Sequence, residues 1–237
     1  MKTMRTIASI LSVIVVTAFA VLGALILWLG PLRGIVTGLA MAALIVGSYV
    51  LVIGPWARRW GATDAEVHAT LLGDEVLRDD APSTTRAISI AARPDDVFPW
   101  LLQIGLGRGG WYSYDRIDND GRPSLERLDP TLWLEVGDRI EMMPGMGPIV
   151  RRIDPGRAIV SVGEADAWTL FLEPTEGGTR LISRWRQDRP KTFASLLWMS
   201  IADPGAFVME RRMLLRLREL AERAVREPAG QGSGALR

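Results

Sequence analysis

Residues 84–115 read TTRAISIAARPDDVFPWLLQIGLGRGGWYSYD, and this stretch decides the fold. Apolar and polar residues alternate from Thr84 to Ala91, which predicts a strand with one face against a core. Pro94 and the two acids behind it are typical of the first turn of a helix. Pro99 lies inside that helix and removes a backbone donor, so we expect a kink or two short helices.

A glycine-rich run follows this helix. Four glycines fall within the six residues from Gly105 to Gly110, and the aromatic residues Trp111, Tyr112 and Tyr114 come next. The run lacks the lysine and hydroxyl residue that end a phosphate-binding loop, and it follows a helix instead of a strand. The glycines therefore predict a tight turn with close backbone approach.

Short segments bounded by glycine, proline and aspartate follow, and they predict an antiparallel sheet of six or seven strands. In the last segment the arginines share one face, while Leu181, Ser183 and Trp185 share the other. The predicted strands after the first are Asp138–Met143, Ile149–Ile153, Ala158–Val162, Trp168–Leu172 and Arg180–Gln187.

A long helix is predicted to close the fold. Asp203 followed by Pro204 is typical of an N-cap and a first helical position, and Pro228 predicts the end of the helix. Apolar residues recur between them at helical spacing, with Met213 and Leu217 on the same stripe. One long helix beside a curved antiparallel sheet gives an α+β architecture.

These features together resemble a known superfamily. The strand, helix and Gly-Arg-Gly-Gly-aromatic run, with residues 136–140 and the terminal helix, are similar to the START-related lipid-transfer (SRPBCC) superfamily, in its bacterial polyketide-cyclase/dehydrase-like branch. The resemblance covers about residues 84–225. It implies a helix-grip fold, in which the sheet wraps the terminal helix and a cavity opens between them. Such a scaffold hosts many activities, so the fold alone does not decide the function.

Two apolar stretches precede this domain. Residues 7–29 and 35–53 carry no charge, and each is long enough to cross a hydrocarbon core of about 30 Å. The five residues between them force an antiparallel hairpin. Lysine and arginine residues flank both outer ends, whereas the connection contains only Arg33. This bias predicts a multi-pass protein of the inner (plasma) membrane, with both termini and the soluble domain in the cytoplasm.

Two further interpretations of the hairpin stay open. Ala18-Phe19-Ala20 after a basic start resembles a signal-peptide cleavage site, and cleavage there would leave a single anchor. Gly34 and Gly38 form a small-xxx-small pair that allows helices to approach closely. The lipid bilayer is thus the expected partner, and a second copy or another membrane protein is a candidate partner.

The charge pattern and these segments divide the chain into four parts. Residues 1–56 form the two-span hairpin, 57–83 a loosely packed connector, 84–227 the helix-grip domain and 228–237 a disordered tail. Thr63 and Glu66 predict a capping box in the connector. His68, the only histidine, lies behind them and is interpreted as a surface residue.

Several classes of function are disfavoured. The chain has no cysteine, no second histidine and a formal net charge of only +1, so we expect no cofactor, no metal and no nucleic-acid partner. Residues 118–121 match only the beginning of a calcium loop, because Asp129 and not glutamate stands at the twelfth position.

The candidate site residues are arginines and aromatics. The resemblance implies that Arg108 with Tyr112 or Tyr114 polarises a substrate carbonyl, and Asp115 and Arg184 are further polar candidates. The structural alternative is that the tyrosines pack the turn and Arg108 pairs with Asp115. The residues predicted to line a ligand cavity are Trp100, Trp111, Tyr112, Trp168, Trp185, Met213 and Leu217.

The leading hypothesis is a membrane-anchored binding protein that holds a lipid or another small hydrophobic ligand. One alternative is an enzyme of the cyclase/dehydrase kind, and another is a structural membrane partner protein with a filled core. The apolar segment Phe193–Ala202 is compatible with the core, with a flap over the cavity or with contact to the bilayer.

Overall fold

A computed structural model describes residues 2–188 and 192–227. The first helix, α1, runs from Lys2 to Leu29. Helix α2, Pro31–Ser48, continues through a π-helical segment, Tyr49–Ile53, into α3, Gly54–Arg58. The two helical stretches Thr3–Leu29 and Pro31–Arg58 are long and apolar enough to cross a membrane.

The two long helices pack closely as a hairpin. Gly30 turns the chain at a φ of 81°. A Cβ atom added to Gly34 would lie 2.6 Å from the backbone of Ile26, and one added to Gly38 would lie 2.9 Å from Leu22. The small-xxx-small pair therefore serves contact within this chain. Its role between chains stays a prediction.

Both ends of the hairpin meet the α+β domain. Thr3 and Asp120 exchange backbone-to-side-chain hydrogen bonds of 3.2 and 3.1 Å. At the other end, Trp56 and Trp60 make edge-to-face contacts with Phe207. The hairpin therefore begins and ends on the same side, next to the domain.

The connector is held firmly, so the prediction of loose packing was wrong. Helix α4, Asp64–His68, has the predicted capping box at Thr63, and a 3₁₀ turn covers Asp74–Val76. Arg184 binds Asp74 at 2.6 Å, and Arg180 binds Glu66 at 2.6 Å. These arginines lie on the outer face of the sheet, so charge-assisted hydrogen bonds fasten the connector over it.

The sheet has five antiparallel strands in the order β1-β5-β4-β3-β2. The predicted strand at Asp138–Met143 is not one of them, because this segment makes only isolated bridges at Arg139 and Met143. A two-residue turn at Pro144 and Gly145 folds the segment back on itself. The strands are β1 (Ser83–Ile90), β2 (Ile149–Asp154), β3 (Ala158–Val162), β4 (Asp166–Thr175) and β5 (Gly178–Gln187).

Short helices follow β1. Helix α5, Pro94–Leu102, begins at the predicted proline and runs through Pro99 as one element. Of the two expected alternatives, a kink or two short helices, the division into two helices was therefore wrong. The glycine run closes a tight turn through paired hydrogen bonds between Gly105 and Gly110. Gly110 has a φ of 96°, and a Cβ there would lie 2.4 Å from Ser124, so only glycine fits. Helix α6 covers Asp115–Asp118.

The terminal helix, α7, spans Phe193–Arg226 and begins eleven residues before Pro204, the predicted first helical position. Asp203 is not an N-cap. Its carboxylate accepts hydrogen bonds from Tyr49 at 3.1 Å and Arg58 at 3.3 Å. The side chains of residues 193–201 and the predicted tail at 228–237 lie outside the described residues.

Candidate functional site

The residues predicted to line a cavity lie in one hydrophobic core between the sheet, α5 and α7. Trp168 stacks on Trp185 at 4.9 Å between ring centroids and on Trp111 at 5.8 Å. Trp100 and Tyr112 meet edge to face at 6.1 Å. Trp185 is half-buried, and the other members of the set, including Met213 and Leu217 from α7, are buried.

This packing joins the sheet and the terminal helix in one network of contacts. The tryptophan stack makes ring-to-ring contact, and the apolar residues of α7 belong to the same cluster. A ligand bound between the stacked rings would have to separate them. That these seven residues contact a ligand stays a prediction.

A chain of polar contacts crosses the edge of this core. Trp168 donates its indole N–H to the Ser183 hydroxyl at 2.9 Å, and Ser183 donates to Glu210 at 2.6 Å. Glu210 also binds Arg86, whose side chain is only 2% exposed, against 9% for Glu210. Further hydrogen bonds offset part of the desolvation cost of a buried ion pair, and here Ser183 supplies one to Glu210. Within the described residues, Nη2 of Arg86 has no hydrogen-bond partner.

The same arginine reaches the helical hairpin. Its Nε donates to the carbonyl oxygen of Ala57 at 2.9 Å, and its Nη2 lies 4.0 Å from Asp203. Asp203 in turn binds Tyr49 and Arg58. Arg86 therefore connects the end of the hairpin, the sheet and α7 in one buried network.

Arg108 has a positioning role in the structure. Its guanidinium donates to the carbonyl oxygens of Trp133 and, at 3.4 Å, Leu102. Asp115 instead accepts hydrogen bonds from the backbone N–H and hydroxyl of Ser124 at 3.1 and 2.6 Å. The predicted pair between Arg108 and Asp115 was therefore wrong, and Arg108 fastens the segment that carries Trp133 to the end of α5.

Tyr112 is only 1% exposed, and its hydroxyl accepts a hydrogen bond from Gln103 at 2.5 Å. Its backbone has a φ of 55°, which non-glycine residues adopt rarely. Tyr114 is exposed. Arg184 binds the connector, and among the described residues no hydrogen bond joins Arg108 to Tyr112. That Arg108 and a tyrosine polarise a substrate carbonyl stays a prediction.

Burial raises the pKa of Tyr112 to about 12, against a smaller lowering effect of the Gln103 hydrogen bond. In the unfolded chain, the hydroxyl of this tyrosine would ionise near pH 10. The contribution of the neutral, buried hydroxyl to the free energy of unfolding is therefore fully present below pH 10 and is lost as the pH rises toward 12. The difference in absorbance at 295 nm between the wild type and Tyr112→Phe is expected to titrate with a midpoint near pH 12. A midpoint near 10 would contradict the buried position.

An apolar cleft lies on the outer side of α5, away from the tryptophan stack, with a volume of about 450 Å³. We call it the α5 cleft. The segment 133–136 forms one wall, and the turn between β2 and β3 forms the other. Its lining residues are Asp95, Phe98, Pro99, Leu102, Trp133, Leu134, Glu135, Val136, Ile153, Pro155 and Gly156.

The floor and rim of the α5 cleft differ in burial. Phe98, Leu102 and Leu134 form a buried floor that belongs to the hydrophobic core. On the rim, Trp133 is 62% and Val136 is 63% exposed. A large aromatic side chain that stays in solvent beside an apolar cleft is typical of a binding surface. The sequence did not predict this cleft. The available signal was Trp133, because it lies in a segment without the helical or strand periodicity that would place a tryptophan in the core.

The two acids that open the calcium-like segment have different surroundings. The carboxylate of Asp120 accepts a hydrogen bond from the backbone N–H of Thr3, whereas Asp118 is buried, which raises the pKa of its carboxyl group. Within residues 2–188 and 192–227, no group of three or more acidic, histidine or cysteine side chains is placed to hold a metal ion.

Comparison with protein-family models gives no match, and comparison with curated proteins gives none. Among solved structures, the chain is similar to a polyketide-cyclase-like protein from Corynebacterium glutamicum, with 18% identity, coverage of 67% of this chain and 100% of that one, and a TM-score of 0.32. It is also similar to an AHSA1-like protein from Rhizobium etli, with 18% identity, 67% and 91% coverage and a TM-score of 0.33.

A five-stranded antiparallel sheet around a long terminal helix is the arrangement implied by the sequence resemblance. The chain has the helix-grip fold. This arrangement agrees with the fold that the resemblance implies, whereas membership of the SRPBCC superfamily stays a prediction from the sequence. What a helix-grip chain binds has to be argued from its own residues.

Proposed function

We propose that this protein is a membrane-anchored binding protein that holds a lipid or another small hydrophobic ligand in the α5 cleft. The observation that carries the proposal is the exposed Trp133 beside an apolar cleft of about 450 Å³. Pockets for small ligands are concave, mostly apolar and of about this size. The buried floor supplies a fixed surface, and the Arg108 hydrogen bonds hold the Trp133 wall in place.

The membrane supplies the ligand in this proposal. Both ends of the hairpin contact the domain, so two crossing helices would hold the domain against the surface of the bilayer. The basic flanks of the hairpin support a location on the cytoplasmic side of the inner membrane.

Topology is tested with single cysteines, because the natural chain has none. In intact cells, Leu32→Cys at the hairpin turn is expected to react with a thiol reagent that does not cross the membrane, whereas Leu128→Cys in the domain is expected to react only after lysis. The reverse pattern, or an N-terminus at Val21, would contradict the proposed orientation.

Ligand binding is tested by mass spectrometry of the protein extracted from membranes. The wild type is expected to carry an apolar molecule in a fixed ratio. Trp133→Ala is expected to weaken binding by about tenfold, because an aromatic wall is lost while the fold is kept. Leu128→Ala, an exposed apolar residue outside the cleft, is the matched control and should retain the molecule. Equal loss in both variants would contradict a site at the cleft.

The filled interior favours one alternative, a structural membrane partner protein. If the packed tryptophans serve stability alone, the domain would present its surface to other membrane proteins. Stable co-purification of a second membrane protein, without any bound apolar molecule, would support this alternative over ligand binding.

A further inference from the structure

We infer that the turn formed by residues 142–148 enters the headgroup region of the bilayer that the hairpin crosses. We call this segment the methionine turn. The inference rests on the proposed membrane anchoring, because the hairpin is what brings a bilayer next to the domain. It is carried by the composition of the turn, by its backbone hydrogen bonds and by its place at one end of the sheet.

The methionine turn is apolar and exposed. It reads MMPGMGP and contains no ionisable side chain. Met142, Met143 and Met146 are 46%, 39% and 58% exposed. Apolar side chains that cluster on a surface in this way are typical of a contact with another apolar phase. The flexible thioether side chain of methionine adapts to irregular surroundings, so it suits contact with lipid.

The backbone of the methionine turn is largely paired within the turn. The N–H of Met142 donates to the carbonyl oxygen of Met146 at 2.8 Å, and the N–H of Met146 donates to that of Met143 at 2.9 Å. Pro144 and Pro148 have no N–H to satisfy. Lipid offers no partner to a free backbone amide, so a turn that pairs its own amides loses less on entering the bilayer.

The register of the sheet places the methionine turn at a defined end. The turn leads into β2, whose first residue, Ile149, pairs with Val162 at the end of β3. At the same end, Gln187 pairs with the first residue of β4, and Ser83 starts β1 opposite the last turn of pairing in β5. The starts of β1 and β2 therefore lie at one end of the sheet.

The hairpin joins the domain at this end. Asp203 of α7 binds the end of the hairpin and lies 4.0 Å from Arg86 in β1. Further along α7, Glu222 accepts a hydrogen bond at 2.9 Å from Ala91, just beyond the other end of β1. The part of α7 that holds the hairpin is thus the part nearer to the start of β1. A bilayer that receives the hairpin faces the methionine turn.

The charges around the methionine turn do not select a lipid by its sign. Glu141 and Arg139 bind the backbone of the turn at 3.4 and 2.7 Å. Arg151 and Arg152 in β2 are exposed, and within the described residues they have no ion-pair partner. They suit lipid phosphates, but Glu164, exposed between β3 and β4, lies at the same end and offsets part of their charge. The apolar side chains therefore drive the insertion.

The test uses single cysteines in the full chain, which has no natural cysteine. Each variant is labelled with a nitrobenzoxadiazole fluorophore and placed in nanodiscs of a zwitterionic lipid, with or without a lipid that carries a nitroxide quencher high in its acyl chain. We expect Met143→Cys to lose about half of its fluorescence, because interfacial apolar segments lie about 5–10 Å into the headgroup boundary. The matched control, Glu176→Cys, lies in the exposed turn at the opposite end of the sheet and should lose none.

Two further variants complete the test. Val15→Cys, in the middle of α1, reports whether the hairpin is in the bilayer and should be quenched. Adding Met146→Asp to the labelled Met143→Cys chain should remove most of the quenching at the turn, because a carboxylate resists transfer from water.

The outcomes separate this inference from the membrane anchoring. Quenching at Val15→Cys without quenching at Met143→Cys would overturn the inference and leave the anchoring standing. A blue-shifted but unquenched probe at Met143→Cys would also overturn it, since a second copy or another protein then covers the turn. Absence of quenching at Val15→Cys would overturn the anchoring itself, and the inference with it.

Discussion

Glu210→Ala is expected to lower the free energy of unfolding by about 3–5 kcal/mol, because it leaves the buried Arg86 without its carboxylate partner. Arg86 is 2% exposed, and Glu210 binds both this arginine and Ser183. The measurement is chemical unfolding of the full chain in detergent, followed by far- and near-ultraviolet circular dichroism.

The matched control is Glu219→Ala on the same helix. Glu219 binds Arg216 at 2.7 Å, but its side chain is exposed, so its loss is expected to cost about 0–1 kcal/mol. Equal effects of the two substitutions would contradict the account of Arg86 as the buried link between hairpin and domain. Arg86→Met with Glu210→Met should recover part of the loss, because both buried charges are then removed.

Trp168→Ala is expected to destabilise the protein by about 3–5 kcal/mol, since it removes the middle ring of the tryptophan stack and leaves a cavity. Trp168 is buried and contacts both Trp111 and Trp185. Trp133→Ala is the matched control, because the same change at an exposed tryptophan is expected to alter stability by about 0.5 kcal/mol or less.

These two substitutions also separate stability from binding. Trp168→Ala should reduce the unfolding midpoint while ligand affinity in the folded fraction is unchanged. Trp133→Ala should reduce ligand affinity while the unfolding midpoint is unchanged. A loss of affinity in Trp168→Ala at full folding would place the ligand in the interior, as the sequence prediction had it.

The elements that the sequence predicted well are those with local signals. Alternation predicted β1 and the two faces of β5, the proline with two acids predicted the start of α5, and the capping box at Thr63 predicted α4. The four-glycine turn was also confirmed, because its backbone angles are a property of glycine itself.

The features that the sequence did not predict depend on contacts between residues that are far apart along the chain. Asp203 followed by Pro204 is a local signal for a helix start, yet Arg58 and Tyr49 take the carboxylate, and the apolar segment before it continues the helix. The segment Asp138–Met143 alternates weakly but turns back at Pro144 and so never pairs along its length.

The candidate site was missed for the same reason. The α5 cleft forms where Phe98, Trp133 and Ile153 come together from three separate parts of the chain. Arg108 was predicted as a candidate because its guanidinium group can polarise a substrate carbonyl. In the structure this group donates hydrogen bonds to two backbone carbonyl oxygens. The aromatic set was recognised as a cluster, but its members contact one another.

The location of the ligand tests the central claim most directly. The full chain in membranes is labelled with a photoreactive long-chain alcohol, and the modified peptides are identified by mass spectrometry with and without an excess of the same alcohol that lacks the photoreactive group. The account predicts that the labelling suppressed by excess ligand falls on residues 133–136 and on α5. Suppressible labelling at Trp168, Trp185 or Leu217, with none at residues 133–136, would contradict it.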